Sequence, residues 1–261
     1  MKLLRYIVPS FVFLLLGTGM VSSYYHKGIV RKQVLSIKNT LNANSGWYKR
    51  YLRGITNRYP VVGIDVSHHQ GWINWQKVAR ANAYGRSLDF AFIKATEGGS
   101  FVDRRFKRNW EEAGRSGLMR SAYHFYNPKI KSTKQVAHFA RVVKLRKGDL
   151  PPVLDVEKRG TYSDAVFVQG VYNTLKAMEK QYGVKPMLYT SPKFYHRYFT
   201  QSRFKSFPVW IANYHRHSPR LKKNWKFWQV TDRAYIYGIN GVVDLNVYNG
   251  KKYKLRQLCL K

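Results

Sequence analysis

Acid is scarce in this 261-residue chain: 13 Asp and Glu stand against 47 Lys and Arg, a formal net charge of +34. Such a field draws polyanions, whether nucleic acid, anionic lipid or anionic cell-wall polymer, and charge alone does not choose among them. Cysteine is almost absent. The single Cys259 excludes an internal disulfide, and it lies too near the C-terminus to carry a lipid after an N-terminal signal. No Cys/His grouping has zinc-ligand spacing, so no metal is expected. There is no finger, no RNA-binding aromatic signature and no basic heptad zipper, which argues against specific nucleic-acid recognition. Internal repeats and low-complexity segments are absent too. What the chain does have is aromatic residues, including 20 Tyr and 7 Trp; these line carbohydrate sites but also fill cores.

One long apolar run occurs, from Tyr6 to about Val21, behind Lys2 and Arg5. A charged n-region before an apolar h-region directs export. Cleavage near Ser22-Ser23 would release a secreted or periplasmic protein. The run lacks an Ala-x-Ala site and approaches the roughly 17–20 residues that cross a bilayer, so residues 1–23 are read as a retained signal anchor. Its N-terminus is then cytoplasmic, by the positive-inside rule, and the rest of the chain sits on the outer side of the inner membrane. Residues 24–59 contain no acid. They read as a basic stem, helical around Ile29–Leu41, that hugs membrane or anionic wall; a plain linker is the alternative. Residues 251–261 form a basic tail.

From Pro60 onward, strand-like and helix-like segments alternate. Strands are expected at Val61–Ser67, Phe90–Thr96, Leu118–Tyr126, Pro152–Glu157, Met187–Thr190, Val209–Asn213, Phe227–Val230 and Val242–Val247. Helices are expected at Asn74–Asn82, Arg104–Ser116, Ser132–Leu145 with Ser132 as N-cap, and Ser163–Tyr182 closed by Gly183. This alternation predicts a parallel sheet. About eight strands suggest an α/β fold in which a single TIM-like barrel closes over residues 60–250, with reduced late helices. A doubly wound open sheet is the alternative, though no glycine-rich phosphate loop follows the first strand. Barrel chemistry sits where the strands end, and polar residues gather there: Asp65, His68 and His69, Glu97, Tyr123, His124 and Tyr126, Asp155 and Glu157, Tyr189, Asn213 and Tyr214, Gln229, Asp244 and Asn246.

The most informative of these is Leu154-Asp155-Val156-Glu157. Residues i and i+2 of a strand share a face, so Asp155 and Glu157 project side by side. Paired carboxylates let an enzyme separate a proton donor from a charge stabiliser; two acids meeting surface lysines is the plainer explanation. In a regular strand Lys94 and Glu97 lie on opposite faces.

Further segments occur in a fixed order: Gly63-Ile64-Asp65-Val66-Ser67-His68-His69-Gln70, Phe92 through Asp103, Ala122-Tyr123-His124-Phe125-Tyr126, the Asp155-Glu157 pair, Tyr189-Thr190-Ser191, Trp210 through Tyr214, Phe227-Trp228-Gln229 and Val243-Asp244-Leu245-Asn246. Together these resemble the family 25 glycoside hydrolases, lysozymes of bacterial cell walls, over roughly Val61 to Gly250. The resemblance implies a modified barrel that hydrolyses the β-1,4 bond between N-acetylmuramic acid and N-acetylglucosamine, without a cofactor. It implies Glu157 as general acid, Asp155 as its partner, and Asp65 as a further catalytic acid, with Asp244 in the same cleft. Tyr126, Trp210 and Tyr214 are candidates to stack on sugars, Tyr189 to bond an acetamido group, and Gln229 to hold Asp244 or a sugar hydroxyl. Asp155, kept ionised, would assist the substrate's own acetamido group; alternatively Asp65 or Asp244 activates water for inversion. The expected partner is the peptidoglycan glycan strand, met by a monomer that touches membrane through its N-terminus if uncleaved. A wall-binding protein with little turnover and a basic nucleic-acid or lipid binder are the competing functions.

Overall fold

The computed structural model describes residues 46–214, 218–219 and 225–261. The expected signal anchor and the Ile29–Leu41 helix fall outside those residues. Among the described residues no helix is long and apolar enough to cross a membrane.

Eight strands close a barrel: β1 (Val61–Val66), β3 (Arg86–Glu97), β5 (Met119–Phe125), β6 (Val153–Asp155), β7 (Met187–Thr190), β8 (Val209–Ala212), β9 (Trp225–Ala234) and β10 (Val243–Tyr248). The pairings from β3 through β5, β6, β7 and β8 to β9 are parallel, and β1 pairs in parallel with β3. β10 runs antiparallel to both β9 and β1, and so completes the ring. The β1–β3 pairing removes the open edge that a doubly wound sheet would leave. The barrel is mixed rather than wholly parallel, because β9 and β10 join without a helical crossover and a short connection imposes antiparallel pairing. Two short strands, β2 (Asn82–Ala83) and β4 (Phe101–Val102), pair with β3 off the ring.

The helices are α1 (Gly46–Arg58), α2 (Trp75–Ala79), α3 (Phe106–Arg115), α4 (Ser132–Val142), α5 (Asp164–Tyr182), α6 (Pro192–Tyr198) and α7 (Lys252–Arg256). Among the described residues no α-helix lies between Tyr198 and Lys252, so the late outer layer is thin. Ser163 caps α5 by accepting the Val166 N–H, and Gly183 ends it in the left-handed conformation at φ 67°. Ser132 is not an N-cap. It is the first residue of α4, and its hydroxyl donates to the Gly170 carbonyl of α5, tying the two helices together. α1 lies within the stretch read as a stem, yet its Leu52 and Thr56 are fully buried and its Tyr48 hydroxyl hydrogen-bonds Thr231 of β9. In the basic tail, Leu255 of α7 packs with Leu150 and Tyr248 into the inner core.

The period-2 alternation of strand side chains splits the core into two layers. Phe90, Phe92, Val153, Met187, Tyr189, Trp210 and Phe227 fill the barrel interior. Ile64, Ala91, Ile93, Ala122, Leu154, Leu188, Ile211 and Trp228 face the helices. Gly63 shows how tight the interior is, since a Cβ there would overlap the Phe90 ring and carbonyl. We expect Gly63→Ala to destabilise the fold by about 1–3 kcal/mol through overpacking, read as a lowered melting temperature.

Candidate active site

The same parity carries the functional side chains. Asp65 of β1, Asp155 of β6, Tyr189 of β7, Trp210 of β8, Gln229 of β9 and Asp244 of β10 line one cavity of ≈ 250 Å³, together with Glu157, Tyr214, Tyr123 and His69. Four of the chain's 13 acids therefore meet at one end of the barrel. A larger hollow of ≈ 850 Å³ adjoins it and shares Glu157, Tyr189 and Tyr214.

Asp244 reaches this end by an unexpected route. It is the second residue of β10, not one of the last. Because β10 is antiparallel, its start lies beside the C-terminal ends of the other strands, with Asp244 in register with Asp65. Asn246, two residues on, shares the face.

Asp65 Oδ2 accepts hydrogen bonds from Gln229 Nε2 at 2.8 Å and Asn246 Nδ2 at 2.7 Å. Gln229 Oε1 accepts from the Tyr189 and Tyr214 hydroxyls at 2.9 and 2.8 Å, and Asn246 Oδ1 accepts from Trp210 Nε1 at 2.8 Å. Gln229 thus holds Asp65, whereas the expectation was that it holds Asp244 or a sugar hydroxyl. Both amides are oriented by aromatic donors, so both point N–H groups at Asp65. Burial pushes Asp65 up to about 6, opposed by these two donors and helped by the charge of Glu157. Replacing Gln229 by Ala removes one of the donors that favour the carboxylate. The Asp65 titration is then expected to move to higher pH, visible in a carboxyl ¹³C titration.

β6 ends at Asp155, and the chain continues with the Val156 N–H donating to the Tyr189 carbonyl at 2.9 Å. That bond holds the i, i+2 alternation past the strand end and brings Glu157 beside Asp155. The environments of the two acids differ sharply. Asp155 is 5% exposed, and its Oδ1 is buried without a hydrogen-bond partner. Glu157 is exposed at the mouth of the cavity. Burial, the Glu157 charge and the hydrogen bond between the two carboxyls push Asp155 well above the usual carboxylate range. Asp155 therefore holds a proton more readily than an ordinary carboxyl, which bears on the expectation that it stays ionised. Asp244, half-buried beside Asp65, is pushed up by burial and by that neighbour's charge. Lys94 is the cation facing this cluster and favours ionised Asp155. It pairs with Glu97 at 2.9 Å, because a register shift between Lys94 and Thr96 lets residues three apart meet.

Tyr126 does not belong to the site. It follows β5 on the outward parity of Ala122 and His124, is 3% exposed, and packs on Phe167 of α5 with its hydroxyl beside Gly170. Tyr123, on the inward parity, lines the cavity instead, and alternation counted from the strand's apolar residues would have found it. Trp210 is buried against Phe92 at 4.2 Å and floors the cavity, whereas Tyr214 is 53% exposed and presents an open ring. His68 is tied to buried Asp103 at 2.7 Å, so of the histidine pair it is His69 that lines the cavity. Asp103, Asn246 and Lys94, which lie within the ordered segments of the sequence but carried no site role there, are supporting groups. Among the described residues no cluster of His, Cys, Asp or Glu fits a metal ion.

Residues 64–239 match the sequence profile of the family described as glycosyl hydrolases family 25. The chain is 42% identical over 209 residues to the uncharacterized protein YegX of Escherichia coli K12, covering 80% of this chain and 76% of that one. It is 32% identical to Lysozyme M1 of Streptomyces globisporus over 76% of this chain and 71% of the relative. The crystal structure of a bacterial lysozyme from Streptomyces coelicolor superposes with a TM-score of 0.70 at 30% identity, covering 76% of this chain and 96% of that one. With barrel, acid cluster and sequence all agreeing, the chain belongs to glycosyl hydrolase family 25 and is a glycoside hydrolase.

Proposed function

We propose that the protein is a muramidase, cleaving the β-1,4 bond between N-acetylmuramic acid and N-acetylglucosamine in peptidoglycan, with Glu157 as general acid. The observation that carries this reading is the asymmetry of the carboxyl pair: Glu157 is exposed where a leaving oxygen can reach it, and Asp155 is buried behind it. In the mechanism we favour, the substrate's 2-acetamido oxygen attacks the anomeric carbon while Glu157 gives its proton to the leaving oxygen. The acetamido N–H approaches Asp155 and favours its ionised form. That moves the proton of the pair toward Glu157 as the sugar settles. Water then opens the cyclic intermediate, returning a proton to Glu157. The Tyr189 hydroxyl donates to Gln229, so toward the acetamido group it acts as an acceptor. Asp65, held by Gln229 and Asn246, faces the developing positive charge of the sugar ring; in the inverting alternative, it or Asp244 activates water.

A protein that only bound wall would gain nothing from a buried carboxyl with an unpartnered oxygen, which costs stability. The apolar N-terminal run of the sequence and a peptidoglycan substrate both support a barrel that works in the cell envelope or outside the cell. The test is incubation of the full chain with purified peptidoglycan, followed by borohydride reduction and mass analysis. Reduced muramic acid ends are expected. Reduced glucosamine ends, or no soluble fragments, would refute the reading.

A further inference from the structure

The rim that carries Glu157 also builds a cationic hollow. The loop after β6 and the first turns of α6 set Lys158, Arg159, Lys193 and Arg197 around a cavity of ≈ 500 Å³. Lys193 also lines the hollow shared by Glu157, Tyr189 and Tyr214, so the two spaces meet at that side chain. Among the described residues one carboxylate pairs with two of these four cations. Asp164, the first residue of α5, lies 3.1 Å from Arg197 Nη2 and 3.5 Å from Arg159 Nε. Lys158 and Lys193 have no ion-pair partner among the described residues. Elsewhere on the chain, exposed basic residues are ordinary for a protein of this charge. Here they line a concave surface that continues from the proposed general acid.

Neutral sugars give such a surface nothing to bind. The glycan backbone offers hydroxyls and acetamido groups, and the anionic groups of peptidoglycan are carboxylates on the peptides hung from the lactyl ether of muramic acid. We propose that this hollow is a subsite for stem-peptide carboxylates, filled when a muramic acid residue lies against Glu157. The inference rests on the muramidase reading and extends it: the enzyme selects glycan whose peptides are present and ionised. Lys193, between the two hollows, is the residue best placed to couple peptide to sugar.

The experiment compares glycan strands with free stem carboxylates and the same strands amidated with carbodiimide and ammonia. It uses the full chain, its Lys193→Glu variant and Lys180→Glu as a control of equal net charge. Lys180 is exposed near the far end of α5, about 24 Å along the helix from Asp164. For the parent and the control, KM is expected to be about fivefold or more lower on free carboxylates, the scale of one or two such charge pairs. Lys193→Glu is expected to erase that ratio. No preference in the parent, or an equal change in both variants, would overturn the subsite and leave only the general field of the protein. Release of muramic acid ends from amidated strands judges the muramidase reading separately. Should the parent cleave neither strand, calorimetric titration with free stem peptide still decides. Binding that Lys193→Glu abolishes and Lys180→Glu retains supports the subsite, and no binding, or equal loss in both, refutes it.

Discussion

Glu157→Gln is expected to lower reducing-end release from peptidoglycan about a hundredfold or more, the scale of a positioned general acid. The substitution keeps the shape and length of the side chain and removes its acidic proton and its charge. Glu157 is exposed and has no ion pair among the described residues, so the melting temperature should stay within about 2 °C of the parent, as for other surface changes. Loss of activity with an unchanged melting curve would therefore be chemical. Full activity would remove Glu157 as the acid and direct attention to the Asp65–Asp244 pair. A hundredfold loss accompanied by a large fall in melting temperature would mean that the hydrogen bond between Glu157 and buried Asp155 supports the fold as well.

Asp155→Asn should separate activity from stability in opposite directions. Activity is expected to fall about 10²–10³-fold, the range for removing one group that stabilises developing charge, because an amide cannot take a full negative charge beside the acetamido group. Stability should rise with pH relative to the parent. The folded protein holds the Asp155 proton more tightly than the unfolded chain does. That residue's contribution to stability is therefore full below about pH 4 and is lost as the pH rises through the elevated folded value. Asn does not titrate, and its Nδ2 can donate to Glu157 where two carboxyls must share a proton. At pH 8 the variant should be more stable by about 1–3 kcal/mol, the penalty of a poorly satisfied buried polar group, or several degrees in melting temperature. Near pH 4 the gain should vanish. Equal stability at both pH values would mean that Asp155 is not protonated in the folded protein.

Much of this site is legible in the chain because strand alternation is a local rule. Asp155-Val156-Glu157 fixes two carboxyls on one face wherever the strand lies. Phe90 and Phe92, or Met187 and Tyr189, declare an inner face in the same way. The same rule, applied consistently, separates Tyr123 from Tyr126, since Tyr126 shares the outward parity of Ala122 and His124. The Ser163 cap and the Gly183 terminus are likewise set by residues within one turn of the helix ends.

Three features depended on partners distant in sequence. β10 turns against its neighbours because the β9–β10 connection is short and the barrel must close on β1. That reversal brings Asp244 beside Asp65, 179 positions apart in the numbering. Gln229 faces Asp65 because two tyrosine hydroxyls occupy its carbonyl oxygen and leave only its N–H groups to point inward. Asp155 titrates above the usual carboxylate range because the barrel buries it beside the Glu157 charge. Local periodicity in the sequence already set which side of each strand most of the cavity-lining residues occupy, Asp155 and Glu157 above all. Strand direction, hydrogen-bond orientation and the raised titration of Asp155 were decided by tertiary structure, since each follows from burial and from neighbours that only the closed barrel supplies.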